Sequence, residues 1–270
     1  MIVNEEKNFS FIHIPKCGGT DIKKYLSKYD DCNGLFNNNV VHLGGDVIDL
    51  SHLPFRKLKS LYPDVAQFVI SSTSFAVMRD PIDRFLSAVS QYSKQTHGRA
   101  QHDMTDADIR VVINEIILRL KSTPPSGALP ADLIHFQPQL DFISDDGSVF
   151  AQHIYTLNDL PKLKNDINRL FKARIFENEK PDILNERKEY KNSIFRYILT
   201  RVPASLRGNI RSILPNSVRL TASRLLLTKY STRITLDSET LNFINNFYKD
   251  DFVLFKSLSD APEIAGIELR

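Results

Sequence analysis

The chain has 270 residues, with 35 Lys and Arg against 32 Asp and Glu, a formal net charge of +3 that does not suit a nucleic-acid coat. A hydrophobic share of 42% and a charged share of 25% describe an ordinary globular protein with room for one large α/β domain. No run approaches the roughly 18 apolar residues of a membrane-crossing helix; Met1 to Asn8 carries no signal-peptide apolar region, and Cys17 and Cys32 are the only cysteines, so the expectation is a cytoplasmic protein without a structural disulfide.

Phe9, Phe11, Ile12 and Ile14 open the chain with a short apolar, β-prone run, the pattern of a buried strand. Pro15 ends it, and Gly18 and Gly19 permit a tight turn and close approach of backbone to a ligand. Thr20 is placed as a helix N-cap, followed by Ile22, Tyr25, Leu26 and Tyr29 at i, i+3, i+4 and i+7. Strand, glycine turn and helix start aim backbone N–H groups and a positive helix end at an anion, and Lys16 adds a charge at the mouth. The lysine precedes the glycines, so the spacing is not GxxxxGK[ST]. The reading is a phosphate cradle; the alternative is a strand-to-helix turn whose glycines serve packing alone.

Residues 30–45 are rich in Asp, Asn and Gly and read as a loop with little core. Pro54 then suits the first turn of a helix through Phe55, Leu58, Leu61 and Tyr62, which leaves His52 in the preceding turn, either facing a cleft or simply exposed. Phe75 to Met78 is a second buried-type strand, closed by Arg79-Asp80-Pro81. The helix after it has an apolar side of Ile82, Phe85, Leu86 and Val89 and an opposite side of Asp83, Arg84, Ser87 and Gln91. Arg79, at a strand's carboxyl end, and Ser87 on the helix can converge on one anion, the first with a fork of donors and the second with a neutral hydrogen bond. The competing reading pairs Arg79 with Asp80 or Asp83 on the surface.

The three stretches Ile-Pro-Lys-Cys-Gly-Gly-Thr (14–20), Ser-His-Leu-Pro-Phe (51–55) and Val-Met-Arg-Asp-Pro-Ile-Asp-Arg-Phe-Leu-Ser-Ala (77–88) resemble, in this order, the Golgi-type carbohydrate sulfotransferases and their bacterial relatives. Those enzymes use 3′-phosphoadenosine 5′-phosphosulfate (PAPS) and release PAP. The resemblance implies that the loop Lys16, Cys17, Gly18, Gly19, Thr20 and Asp21 holds the 5′-phosphosulfate and that Arg79 and Ser87 hold the 3′-phosphate. It also implies that His52 is the catalytic base at the acceptor hydroxyl. Two departures stand out: Asp21 replaces the usual Ser or Thr after Gly-Gly-Thr, and Ser51 replaces a Gly before the histidine.

Residues 94–105 read as a polar loop with His97 and His102 exposed, and Asp106 to Lys121 as an amphipathic helix. His135-Phe-Gln-Pro-Gln resembles the family's stretch ahead of a short hairpin with its turn at Asp145-Asp-Gly. His135 and Gln139 there are either acceptor-facing or structural. Val149 to Tyr155 reads as a strand, and Asn158 as the cap of a helix to Phe171. Leu236 to Phe255 again looks like the family, its Tyr-x-x-Asp-Phe helix closing the fold.

Between Tyr190 and Leu236 there is no acidic residue, while Arg196, Arg201, Arg207, Arg211 and four further cations plus Lys191 alternate with apolar residues. A basic amphipathic segment of this kind lies on an anionic membrane, meets a polyanionic acceptor, or forms a solvated helical subdomain.

The fold expected is α/β, a three-layer P-loop-like arrangement around a central, mainly parallel sheet, supported by alternating strand and helix signals. Residues 1–270 form one sulfotransferase-like domain, with 187–235 a basic helical insertion. The resemblance implies sulfuryl transfer from PAPS to a hydroxyl of a carbohydrate or glycolipid, with Lys16 and His52 catalytic, no metal and no nucleic-acid partner. The expected location is cytoplasmic, with a peripheral contact to the inner membrane surface through 190–236. Two other classes compete: a P-loop kinase, which lacks its GK[ST] here, and a non-catalytic module binding polyanions or membranes through 190–236.

Overall fold

The structure is a computed structural model, described for residues 1–37, 39–43, 45–99, 104–123, 128–176, 188–190, 227–229 and 236–260. The chain divides into two compact units, one of residues 1–88, 121–180 and 239–270, the other of 89–120 and 181–238. The first unit holds every element that matters to the site.

In chain order it begins with β1 (Ile2–Asn4), β2 (Phe9–Ile12) and α1 (Gly19–Leu26). A hairpin follows, β3 (Val40–Leu43) and β4 (Asp46–Asp49), then α2 (Phe55–Leu61), α3 (Pro63–Ser71), β5 (Thr73–Met78) and α4 (Pro81–Thr96). After α5 (Asp106–Ser122) come the short α6 (Leu140–Ile143), a second hairpin of β6 (Ser144–Asp145) and β7 (Ser148–Val149), then β8 (His153–Thr156) and α7 (Leu160–Phe171). The strands β9 (Lys188–Tyr190) and β10 (Leu227–Lys229) pair with each other, and α8 (Ser238–Phe247) and α9 (Lys249–Asp260) end the described chain.

The architecture is mixed α/β around a four-stranded sheet ordered β1-β2-β5-β8. β1 is antiparallel to β2, whereas β2, β5 and β8 run parallel, with Ile12 beside Ala76 and Val77 beside Tyr155. Every residue of β2 is buried, as is β5 after Thr73, which is why both read as continuous apolar runs. The polar exceptions, Ser10 and Ser74, find partners outside the two strands: Ser10 Oγ accepts from Ser72 Oγ at 2.9 Å, and Ser74 Oγ accepts from the Gln152 N–H at 3.1 Å. The Phe9 ring packs on Phe75 and on Phe171, at centroid distances of 5.4 and 5.1 Å. Because the three parallel strands share a direction, their turns into α1, α4 and α7 all leave one edge of the sheet.

Several local expectations need correction. Residues 30–45 are not a coreless loop: Phe36 is fully buried, its carbonyl accepts from Lys23 Nζ at 3.0 Å, and 40–49 forms the β3–β4 hairpin. Val149 belongs to the small β6–β7 hairpin, whose Asp146 and Gly147 both take positive φ, 46° and 82°. The strand joining the sheet starts at His153. The turn into α7 is capped by Thr156 and Asp159 in a reciprocal box, not by Asn158. Of the 187–235 segment only β9 and β10 are described, and its helical reading otherwise lies outside the described residues, as does His102. No helix among the described residues is long and apolar enough to cross a membrane.

Candidate active site

The loop between β2 and α1 is shaped by left-handed backbone at Lys16 (φ 68°) and Gly18 (φ 80°). Gly18, not Thr20, is the N-cap of α1; it brings no side chain to the first helical N–H groups, which are unsatisfied within any helix. Thr20 is exposed in the first turn, with Asp21 half-buried beside it. Gly19 is required by packing: a Cβ there would stand 2.7 Å from His13 Cδ2 and 3.3 Å from the Phe11 ring. Cys17 is buried, its Sγ 3.2 Å from Gln139 Oε1. Burial pushes its thiol up to about 11 against the pull of Arg84 and Arg79, which makes it a packing group and not a nucleophile.

Arg79 follows β5 directly. Its N–H donates to Gln139 Oε1 at 3.0 Å, and its carbonyl accepts from Gln139 Nε2 at 2.9 Å. One amide oxygen therefore meets both Cys17 and the Arg79 backbone, and the two strand ends stand side by side. The Arg79 guanidinium lies 3.7 Å from Asp83, an aspartate whose side chain is 62% exposed, and its buried Nε has no hydrogen-bond partner among the described residues. Asp83 and Ser87 are one helical turn apart on α4, so the half-buried Ser87 hydroxyl is on the face that Arg79 approaches. Gln139 itself is fully buried with both amide atoms occupied by protein groups, which makes it a brace for the loop and not an acceptor contact.

Arg84 overturns the helical-wheel reading that set it on the polar side. It is 1% exposed; Nε donates to the Pro15 carbonyl at 3.0 Å and Nη2 to the Gln137 carbonyl at 2.7 Å. Asp251, also 1% exposed, accepts from the N–H groups of Gln139 and Leu140 at 2.8 and 2.9 Å, and Tyr248 OH donates to the Phe136 carbonyl at 2.7 Å. The Tyr-x-x-Asp motif thus fastens residues 136–140, which in turn brace both anion turns. Burial raises the Asp251 carboxyl, opposed by the Arg84 charge and by those two N–H groups.

His52 ends a short 3₁₀ turn after β4. Its Nδ1 is 2.7 Å from Asp49 Oδ2, while Asp49 Oδ1 accepts from the Ser51 N–H at 2.8 Å and from the Ser51 hydroxyl. Burial alone would raise the Asp49 carboxyl; the bonds from His52 and Ser51 prevail and hold it well below the usual carboxylate range. An ionised Asp49 fixes the proton on Nδ1 and leaves Nε2 as acceptor. The His52 ring lies between His135, 4.9 Å away, and His13, 5.3 Å away. Burial pushes His135 down to about 3, with the charges of His52, Lys16 and Arg84 adding to it. His13 is likewise pushed well below its ordinary value, chiefly by burial. The sequence had singled out Lys16, His52 and His135, and the structure brings these three into one neighbourhood. It missed Asp49, His13 and Arg84, of which only Asp49, three positions before His52, left a local signal, whereas Asp251 stood in the Tyr-x-x-Asp-Phe motif without a stated role.

Asp49 and His52 open onto a cleft of about 470 Å³ between the β4–α2 segment and residues 128–134. Among the described residues no group of three His, Cys, Asp or Glu is placed to hold a metal ion. No curated protein and no solved structure matches the chain. The model of the sulfotransferase family matches residues 1–256, a span that includes both anion turns, the Asp49–His52 pair and the Tyr248–Asp251 brace. The chain belongs to the sulfotransferase family.

Proposed function

We propose that the protein transfers a sulfuryl group from PAPS to the hydroxyl of a carbohydrate-bearing acceptor on a P-loop-like α/β frame formed as one domain. The observation that supports this most is the shared Gln139 oxygen, which sets the Cys17 turn and the Arg79 turn shoulder to shoulder at one sheet edge. A nucleotide with phosphates at both its 3′ and 5′ positions needs two neighbouring cationic seats. The unpartnered Nε of Arg79 and the glycine-capped start of α1 suit such groups.

PAPS, when bound, supplies the sulfuryl group and leaves as PAP. The N–H groups of residues 18–20 and Lys16 hold the 5′ end, and Arg79 with Ser87 holds the 3′-phosphate. Asp49 keeps His52 oriented, and His52 Nε2 takes the proton as the acceptor oxygen bonds to sulfur and the bond from sulfur to the bridging oxygen breaks. Lys16 offsets the charge that develops on that departing oxygen. Positioning and charge carry most of the acceleration, as they do in phosphoryl transfer. The proposal includes a cytoplasmic location and no bound metal.

The test is calorimetry with PAP and with ATP, each with and without magnesium, alongside transfer from labelled PAPS. PAP binds without magnesium and more tightly than ATP. His52→Ala lowers kcat by about 10²–10⁴-fold with PAP affinity kept, and Lys16→Ala loses both turnover and donor affinity. Magnesium-dependent binding of ATP in preference to PAP would overturn the assignment.

A further inference from the structure

The cleft beside the Asp49–His52 pair is lined mostly by apolar residues, with a few charged side chains among them. Its volume of about 470 Å³ is that of a small-molecule site. Val47, Leu53, Pro54, Leu129, Pro130 and Ile134 line it, and apart from Asp49 its charged lining residues, among those described, are Lys57 and Asp132. Beside His52, those two carboxylates and the lysine are the hydroxyl-binding side chains among the described lining residues, none of which is a Phe, Tyr or Trp that would stack on a sugar ring. One polar group can meet these side chains, whereas further hydroxyls set against Val47, Leu129, Pro130 and Ile134 would lack partners there, which is disfavoured.

The hairpin extends the same surface outward. Val40 pairs with Asp49 and His42 with Val47, and cross-strand partners share a face of the ladder. The face that carries Asp49 therefore carries Val40, His42 and Val47, of which the valines are 52% and 47% exposed. Two exposed valines beside His42 thus continue apolar surface outward from the carboxylate that orients His52.

Resting on the sulfotransferase reading, we propose that the acceptor is an amphiphile: a hydroxyl-bearing polar group set at His52 and joined to an apolar moiety that lies along Val47, Leu129, Pro130 and Ile134. A saccharide without such an apolar moiety is the weaker acceptor. Lys57 gives the polar group one cationic contact, and the exposed valines continue the track for the apolar part.

The experiment compares two probes that differ only in their apolar part, n-octyl β-D-glucoside below its micellar concentration and methyl β-D-glucoside. Each is titrated calorimetrically into the full chain, with and without PAP. The octyl compound binds at least about 30-fold more tightly, since several methylenes leave water. The double substitution Val47→Ser/Leu129→Ser reduces that preference by at least about fivefold, with the methyl compound and PAP unchanged. Equal affinities, no binding of either glucoside, or an octyl preference that survives the double substitution each overturns the proposal. Failure of PAP to bind strikes the donor reading instead, and the titrations without PAP still decide the acceptor question.

Discussion

Asp49 does more for the site than its place in a surface hairpin suggests. An imidazole free to choose its tautomer presents a proton as often as a lone pair to an incoming hydroxyl, and a carboxylate on Nδ1 removes that choice. Ser51 donates twice to the same carboxyl and so fixes its direction as well as its charge. Ser51 thus has its own task at the position where the family resemblance expects glycine. Asp49→Asn keeps the shape and removes the charge. We expect kcat to fall by about 10²-fold or more while PAP affinity changes by less than about twofold. Sulfate transfer and PAP calorimetry on the same variant check this, and an unchanged kcat would take Asp49 out of the mechanism.

The three parallel strands deliver their helical turns to one edge, but strand ends alone do not hold loops in register; Arg84 and residues 136–140 do that. The Arg84 guanidinium spans the Pro15 carbonyl before the glycine turn and the Gln137 carbonyl beyond it, two acceptors 122 positions apart in sequence. Lysine offers a point charge on a flexible stem and does not reproduce a fork between two fixed carbonyls. Arg84→Lys should therefore cost about 2–3 kcal/mol in urea unfolding and weaken PAP binding, because the loop that cradles the 5′ end loses its anchor. The sequence made the two strand-turn-helix units legible because strand pattern, breaker and helix periodicity lie within some twenty residues. Arg84 was hidden by the same logic, since a helical wheel ranks it polar and its partners lie in other segments. The β3–β4 hairpin was obscured by flanking Asn and Gly residues, although Val40-Val41-His42-Leu43 is a strand-forming run.

Taken together, the segments around residues 13–19, 49–52, 79–84, 134–140 and 248–251 meet within one unit, so the integrity of the site and the folding of that unit are one equilibrium. The histidines make this equilibrium sensitive to acid. His13 and His135 are buried and held neutral, while an unfolded chain protonates histidine near 6.5. Their folded values are lowered, so below 6.5 the unfolded chain binds more protons and stability falls with pH. For His135 the fall continues until the folded ring itself titrates, at about 3. The groups around His135 reinforce this: Lys16, Arg84 and His52 oppose its charging, and only Asp49 favours it. Asp49, with its folded carboxyl depressed, stabilises the fold above about 4 and ceases to do so only in stronger acid. Between pH 6.5 and 4.5, then, each of these two histidines contributes a slope of up to about 1.4 kcal/mol per pH unit, opposed in part by Asp141 and Asp251, whose carboxyls burial raises. Urea midpoints measured from pH 7.5 to 4.5 should drop with that steepness, and His135→Asn should flatten the profile while leaving the plateau above pH 7 lower by the cost of the lost ring packing. A midpoint independent of pH across this range would mean that His13 and His135 are not buried neutral groups.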